Sequence, residues 1–259
     1  MSLDYGEEFA GRRVLITGAA GLIGRWTAEA FHACGAELLL SDARAEPLAE
    51  LGETLGAHTA VADLSTADGV ERLLAAVDGR WPTADILINN AGVYPRTPLA
   101  TTERAAVERI LDVNVVAPYQ LARHVIATMT RTGVRGCVVN IGSGAARRTT
   151  RTGGVYAASK AALEMLTRWL AMEAAEAGIR VNTVGPGFAP GSEVSALPGE
   201  HVAKMRAAIP LGRTSGPHDA PAAILWLCSG AASFVTGTTL DVDGGRTAGD
   251  FTPTGVSAT

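Results

Sequence analysis

Cysteine is scarce in this 259-residue sequence, which contains only Cys34, Cys137 and Cys228. The three are far apart and odd in number, and Cys137 and Cys228 lie in apolar stretches. This pattern favours reduced, buried thiols in a cytoplasmic protein over a disulfide, a metal site or a nucleophile. No group of side chains has the spacing of metal ligands, so we expect no metal.

Long apolar runs are also missing, so no segment predicts a membrane span. The first ten residues carry three acidic side chains and no hydrophobic core, which is unlike a secretory signal peptide. Basic residues are not in excess, because the formal net charge is −4. The sequence therefore predicts a cytoplasmic protein that binds neither nucleic acid nor a membrane.

The composition is that of a globular protein, with 47% hydrophobic and 19% charged residues. Short apolar segments alternate with helical periodicity, which predicts an α/β fold with a doubly wound parallel β-sheet. No repeat, low-complexity tract or linker interrupts the pattern, so we expect one domain over residues 1–259, with a flap at about 188–210. The predicted strands are 13–17, 37–41, 58–62, 85–88, 136–141, 179–184 and 238–242.

A glycine-rich turn joins the first predicted strand to the first helix, with Gly18, Gly21 and Gly24 spaced as G-x-x-G-x-x-G. Glycines let the backbone approach a pyrophosphate, and the helix N-terminus offers free amides. A strand, a glycine turn and a helix are the context that a dinucleotide motif needs. A tight turn without a ligand is the competing interpretation.

An acidic residue, Asp42, ends the second predicted strand 18 positions after Gly24. A carboxylate here would accept hydrogen bonds from the adenosine ribose and repel a 2′-phosphate, which favours NAD over NADP. Arg44 lies nearby and weakens this argument. The alternative role for Asp42 is to cap the next helix.

A tyrosine and a lysine, Tyr156 and Lys160, lie one helical turn apart, and Ser143 follows the apolar run 136–141. An ammonium near a phenol favours the phenolate and lowers the pKa of the tyrosine from about 10. Such a tyrosine can exchange a proton with an alcohol oxygen. An isolated match of this kind is more often a surface tyrosine and lysine on an ordinary helix.

The helix predicted over 155–177 is apolar on more than one face, which predicts a second buried surface against another subunit. We therefore expect a homo-oligomer, a tetramer or a dimer.

Further upstream, Asn114 lies among apolar residues and needs partners if buried, and Pro118 predicts a break or kink in the helical stretch 101–129.

Taken together, these residues resemble the short-chain dehydrogenase/reductase family over about 12–245. Each motif is weak alone, but their order in a chain of this length is specific. The resemblance implies a Rossmann-type fold and an NAD-dependent oxidoreductase that interconverts a secondary alcohol and a ketone. The matching motifs are Thr17-Gly18 with Gly21 and Gly24, Asp63-Leu64, Asn89-Asn90-Ala91-Gly92, Asn114, Ser143, Tyr156 with Lys160, Asn182, Pro186-Gly187 and Asp243-Gly244-Gly245.

The family pattern also implies roles for individual residues. Tyr156 would be the acid/base, Lys160 would hold the nicotinamide ribose, Ser143 would bind the substrate oxygen, and Asn114 would order a water in a proton relay. The implied cofactor-binding residues are Gly18, Gly21, Leu22, Ile23, Gly24, Asp42, Asp63, Leu64, Asn90, Ala91, Gly92, Tyr156, Lys160, Pro186 and Gly187.

Two departures from the family pattern affect these expectations. The single-domain branch usually has glycine where this chain has Leu22, so we expect a slightly altered pyrophosphate turn. Many relatives carry threonine shortly after the Pro-Gly pair to hold the nicotinamide carboxamide. Ser192 is the candidate substitute here, and that contact stays open.

The substrate is not determined by these motifs. Candidate wall positions are Tyr94, Pro95, Arg96, Ala145, Val155 and the flap from Phe188. One hypothesis is that Arg147, Arg148 or Arg151 meets a carboxylate, phosphate or polyol, and the alternative is three solvated surface arginines. An NADPH-dependent 3-oxoacyl-carrier-protein reductase, a sugar or steroid dehydrogenase, and a non-catalytic NAD-binding regulatory protein remain alternatives.

Overall fold

A seven-stranded, entirely parallel β-sheet forms the centre of the computed structural model, which describes residues 5, 7–191 and 198–252. The strand order is β3-β2-β1-β4-β5-β6-β7, which confirms the predicted doubly wound sheet. Each strand lies within two residues of its predicted bounds. The strands are β1 (Arg13–Thr17), β2 (Glu37–Asp42), β3 (His58–Val61), β4 (Ile86–Asn89), β5 (Cys137–Ile141), β6 (Arg180–Pro186) and β7 (Thr239–Val242).

Helices cover both faces of this sheet, because successive strand residues point to opposite sides. The α-helices are α1 (Leu22–Ala33), α2 (Ala45–Leu55), α3 (Ala67–Arg80), α4 (Arg104–Leu111), α5 (Ala117–Thr132), α6 (Gly154–Ala174), α7 (Gly199–Ala207) and α8 (Asp219–Cys228). In β1, Leu15 packs into a core with α3, α5 and α6, whereas Val14 and Ile16 pack into a second core with α1, α2 and α8.

The sheet reverses its winding between β1 and β4. The chain proceeds outward from β1 through β2 to β3, and then returns to place β4 on the other side of β1. Helices on the two faces therefore diverge at the carboxyl ends of β1 and β4 and leave a crevice there. In open parallel sheets this is where ligands bind.

A π-helical turn, Asp112–Val116, separates α4 from α5 in what the sequence suggested was one helical stretch. The ring nitrogen of Pro118 has no hydrogen to donate four residues back, so the α-helical bonding pattern cannot be kept at the carbonyl of Asn114. The π-helical turn is therefore the break in the helical stretch that Pro118 predicted. The turn also places the fully buried side chain of Asn114 toward α6.

The proposed flap is described in part: α7 lies within it, and residues 192–197 are outside the described residues. Among the described residues, no helix is both long and apolar enough to cross a membrane.

Candidate active site

The glycine-rich turn between β1 and α1 lies at the crevice. Gly18 has φ +61°, and a side chain there would lie 2.7 Å from the Cα of Ala91, so glycine is required at this position. A side chain at Gly24 would collide with the carbonyl of Gly18, so Gly24 allows α1 to pack against the turn. Gly21 is the N-cap residue of α1. Because glycine has no side chain, the first backbone amides of the helix receive no side-chain cap hydrogen bond.

The end of β4 is bound tightly to this turn. The side-chain nitrogen Nδ2 of Asn90 donates to the carbonyls of Thr17 at 2.9 Å and Gly18 at 2.8 Å. The backbone amides of Asn90 and Ala91 donate to the Thr17 hydroxyl. Asn90 and Thr17 therefore fix the glycine turn relative to the Asn-Asn-Ala-Gly segment.

Asp42 ends β2 beside the same turn. Its Oδ2 accepts from the backbone amide of Ala20 at 3.0 Å, and its Oδ1 accepts from the backbone amide and Nε of Arg44 at 3.0 and 3.1 Å. It does not cap α2 through its side chain, since the N-cap of that helix is Arg44. Both Asp42 and Arg44 line the crevice.

Asp63 and Leu64 follow β3 and line the same crevice. Asp63 Oδ1 accepts hydrogen bonds from the backbone amide and the hydroxyl of Ser65. Those bonds, with the nearby positive charge of Arg109, hold the pKa of Asp63 below its ordinary value. The carboxylate is therefore fixed and ionised at neutral pH.

Tyr156 and Ser143 meet where β5 ends and α6 begins. Both residues line the crevice, and Ser143 Oγ accepts from the backbone amide of Ala145 at 3.1 Å. The ring of Tyr94 packs against Tyr156 edge-on, with centroids 6.1 Å apart. Burial raises the pKa of Tyr156 above its ordinary value, and the nearby Ser143 hydroxyl only partly offsets this.

Lys160 is buried one turn after Tyr156. Its Nζ donates to the carbonyl of Ile141 at 2.8 Å and lies 5.9 Å from the centre of the Tyr156 ring. Burial lowers the pKa of Lys160 to about 8, because a buried ammonium loses its hydration. The expectation that Lys160 lowers the phenol pKa is wrong for the chain by itself, since burial raises the pKa of Tyr156 and the neighbours that shift it are Ser143 and Tyr94.

Asn114 lies behind the wall of the crevice rather than on it. Its Nδ2 donates to the Val93 carbonyl at 2.9 Å and to Ser159 Oγ at 3.0 Å, and its Oδ1 accepts from the Val93 amide at 2.9 Å. Ser159 Oγ in turn donates to the carbonyl of Tyr156 at 2.7 Å. The amide of Asn114 therefore joins the π-helical turn, the segment after β4 and the start of α6.

These groups surround one crevice of about 1080 Å³. Among the catalytic and cofactor-binding residues predicted from the sequence, Asn114 and Gly24 support the wall and the others line it, whereas Val155, a predicted substrate position, does not line the crevice. The lining residues from that set are Gly18, Gly21, Leu22, Ile23, Asp42, Asp63, Leu64, Asn90, Ala91, Gly92, Ser143, Tyr156, Lys160, Pro186 and Gly187. Ser192, the candidate for the carboxamide contact, lies outside the described residues.

The three arginines between Ser143 and Tyr156 have different environments. Arg147 donates to Glu164 at 2.7 Å and also pairs with Asp241, so it joins the loop to α6 and β7. Arg148 lines the crevice, whereas Arg151 is exposed and does not. Sequence reasoning missed Arg246, which also lines the crevice and whose only sequence signal was its place after the Asp-Gly-Gly turn.

The chain is similar in sequence and in structure to known oxidoreductases. A family model described as enoyl-(acyl carrier protein) reductase matches residues 18–247. Cis-4-hydroxycyclohexanecarboxylate dehydrogenase of Sinomonas cyclohexanicum is 35% identical over 94% of this chain and 99% of its own. Human L-xylulose reductase is 36% identical over 91% and 96%. The solved structure of 4-hydroxyisoleucine dehydrogenase complexed with NADH has a TM-score of 0.88 at 30% identity, covering 93% and 100%.

The match therefore covers nearly the whole length of the chain and of these relatives, and it includes the glycine turn and the residues around Tyr156. The chain belongs to the short-chain dehydrogenase/reductase family, and it is an NAD(P)-dependent oxidoreductase that interconverts a secondary alcohol and a ketone.

Proposed function

We propose that this enzyme uses NAD, that Tyr156 is its acid/base and that Ser143 binds the substrate oxygen. The observation that carries the proposal is that Tyr156, Ser143 and Lys160 line the same crevice as the glycine turn. A substrate oxygen within reach of both hydroxyls would accept a hydrogen bond from Ser143 while it exchanges a proton with Tyr156.

The crevice fits a dinucleotide. Gly18 lets the turn pack against Ala91, and the first amides of α1 suit a pyrophosphate. Asp42 is suited to the adenosine ribose, and Asp63 with Leu64 to the adenine. Lys160 is suited to the nicotinamide ribose, while Pro186 and Gly187 would flank the nicotinamide ring. When bound, the nicotinamide supplies the hydride acceptor or donor for the substrate carbon.

Proton handling belongs to the chain itself. In the oxidation direction Tyr156 takes the hydroxyl proton of the alcohol, and in reduction it returns a proton to the ketone oxygen. The phenol pKa of the chain alone is raised by burial, so the tyrosine needs a nearby positive charge to act as a base near neutral pH. Lys160 provides that charge while it remains protonated. Asn114 would order a water behind Lys160. It would do so through a backbone group, because its side-chain amide is already hydrogen-bonded to Val93 and Ser159.

Turnover tests the function directly. A panel of secondary alcohols and ketones, with hydroxy acids and polyols such as the substrates named for its relatives, is assayed with NAD(H) and NADP(H) by nicotinamide absorbance. An acyl thioester reduced only with NADPH would favour the 3-oxoacyl-carrier-protein reductase alternative. Cofactor binding without turnover of any compound would count against the enzyme assignment.

Asp42 is the basis for preferring NAD. We expect Asp42→Ala to shift the ratio of kcat/KM for NADP to that for NAD upward by about 10- to 100-fold. The substitution removes the carboxylate that repels a 2′-phosphate and that pairs with Arg44 at 3.1 Å. Initial-rate kinetics with both cofactors measure the ratio.

The double variant Asp42→Ala/Arg44→Ala is the matched control, because it lacks both the repelling carboxylate and the arginine that would bind the phosphate. It should gain less NADP activity than Asp42→Ala alone. A wild-type enzyme that prefers NADP would contradict the assignment of Asp42.

A homo-oligomer, tetramer or dimer, is the second part of the proposal. Met165, Trp169 and Met172 lie on one face of α6 and are 60%, 47% and 76% exposed, which is unusual for large apolar side chains at helical spacing. We expect Met165→Glu/Met172→Glu to reduce the mass measured by light scattering. Leu211→Glu, at an exposed apolar residue elsewhere, is the control, and a monomeric wild-type protein at micromolar concentration would refute the proposal.

We also propose that the chain is one domain whose segment 188–210 covers the substrate, and that it works in the cytoplasm. Phe188, Ala189, Gly191 and Met205 line the crevice from that segment. The three cysteines are reduced thiols, which suits a reducing compartment.

A further inference from the structure

Two arginines that are 98 residues apart in sequence meet at the substrate end of the crevice. Arg148 Nη1 donates to the carbonyl of Arg246 at 3.2 Å, and both side chains line the crevice together with Ser143 and Tyr156. The assigned reaction gives neither arginine a role. A role for the pair in binding the substrate rests on the proposed function of this same crevice.

Arg148 is held close to the reacting groups by the backbone. Its amide donates to the carbonyl of Gly144 at 3.3 Å, so it lies one turn after Ser143. Asp250 lies 4.0 Å from its guanidinium but is fully exposed. Such an exposed pair contributes little and is easily replaced by another anion.

Arg246 approaches the same point from the loop after β7. A side chain at Gly144 would collide with Thr247, so that loop packs directly against the residue after Ser143. The Nε of Arg246 is buried, and within the described part of the chain it has no hydrogen-bond partner. An unpaired, buried donor of a guanidinium is costly unless a ligand or water accepts from it.

The carboxylates around this pair are already used by other groups. Asp243 accepts from the Gly245 amide and from the amide and hydroxyl of Thr247, at 2.7 to 2.9 Å. Asp241 and Glu164 are paired with Arg147. The positive charge of Arg148 and Arg246 is therefore not neutralised by a close, buried carboxylate among the described residues.

We propose that Arg148 and Arg246 form a carboxylate-binding subsite, so that the substrate is the anion of a hydroxy acid. Planar guanidinium groups bind carboxylates through paired hydrogen bonds, and the Nε donor of Arg246 has no partner among the described residues. A neutral polyol would leave that donor without a charged acceptor. Arg151, in the same loop but outside the crevice, has no part in the subsite.

Binding to the enzyme–NADH complex tests this inference without requiring turnover. The probes are cyclohexanecarboxylate and cyclohexanecarboxamide, which match in size and differ in charge, and quenching of NADH fluorescence reports binding. We expect the wild-type complex to prefer the carboxylate. Arg148→Gln and Arg246→Gln should each weaken carboxylate binding by about 10- to 100-fold and carboxamide binding by less than about twofold. Arg151→Gln is the matched control and should change neither.

The inference is overturned if the wild-type complex binds the carboxylate no more tightly than the carboxamide. It is also overturned if the two variants weaken both probes equally, or if Arg151→Gln has the same effect. These outcomes leave the proposed oxidoreductase function intact as long as the wild-type protein binds NADH. A wild-type protein that fails to bind NADH contradicts both proposals.

Discussion

Replacing Tyr156 with phenylalanine should lower kcat/KM for alcohol oxidation by about 10²- to 10⁴-fold, the usual contribution of a positioned acid/base. The variant keeps the ring that packs against Tyr94 and loses only the hydroxyl, which shares the crevice with Ser143. Cofactor affinity should change far less than the rate. Steady-state kinetics and NADH fluorescence titration on the same preparation separate the two effects.

Tyr119→Phe is the matched control for this variant. Tyr119 lies on α5 outside the crevice, and its ring, which the substitution keeps, packs against Trp169. Its kinetics should match those of the wild type. If Tyr156→Phe retained full activity with every substrate that the wild type accepts, Tyr156 would not be the acid/base.

Lys160→Met should impair both cofactor binding and the proton transfer. The methionine fills the same space but removes the buried ammonium that donates to Ile141 at 2.8 Å. We expect NADH affinity to fall by about 10- to 100-fold, the value of a charged hydrogen bond. In alcohol oxidation, the pH at which the remaining activity rises should shift to higher values, because the ammonium no longer favours the phenolate.

The buried Lys160 also makes the stability of the folded protein depend on pH. Burial lowers the pKa of Lys160 to about 8 in the folded chain, whereas an unfolded lysine titrates near 10.4. The folded state therefore binds fewer protons between these values, and its stability should rise as the pH increases through this window. Chemical denaturation of the cofactor-free protein between pH 7 and 10 should show this rise in the wild type and not in Lys160→Met.

Lys204→Met provides the control for both measurements, since Lys204 is an exposed lysine on α7. It should leave NADH affinity and the pH dependence of stability as in the wild type. An unchanged NADH affinity in Lys160→Met would remove the assignment of Lys160 to the nicotinamide ribose. If the free energy of unfolding of the wild type fell over this pH range, burial would not lower the pKa of Lys160.

Buried charge at this site illustrates a cost that function imposes on the fold. Lys160 donates to a backbone carbonyl rather than to a carboxylate, and a buried ammonium without a counter-charge is unfavourable. Arg147 shows the other solution, because its charge is balanced by Glu164 and Asp241. The first arrangement leaves a charge available to the active site, and the second fixes the loop that carries Ser143.

The sheet and the position of the site could be predicted from the order of residues alone. Apolar segments of four to seven residues, separated by helical periodicity, bury both faces of a parallel sheet in only a few ways. Local spacing also predicted that Lys160 lies one turn after Tyr156 and that glycines form the turn after β1, because both depend on neighbouring residues alone.

Interactions between distant parts of the chain became visible only in the folded molecule. Nothing in the local sequence indicates that Arg246 approaches Arg148, or that Arg147 rather than Arg148 is neutralised by Glu164 and Asp241. The direction of the Tyr156 pKa shift also required the fold, because burial depends on every element that surrounds the phenol. Spacing along the chain decides which groups are neighbours on a helix or strand, whereas desolvation and charge pairing depend on how the whole chain packs.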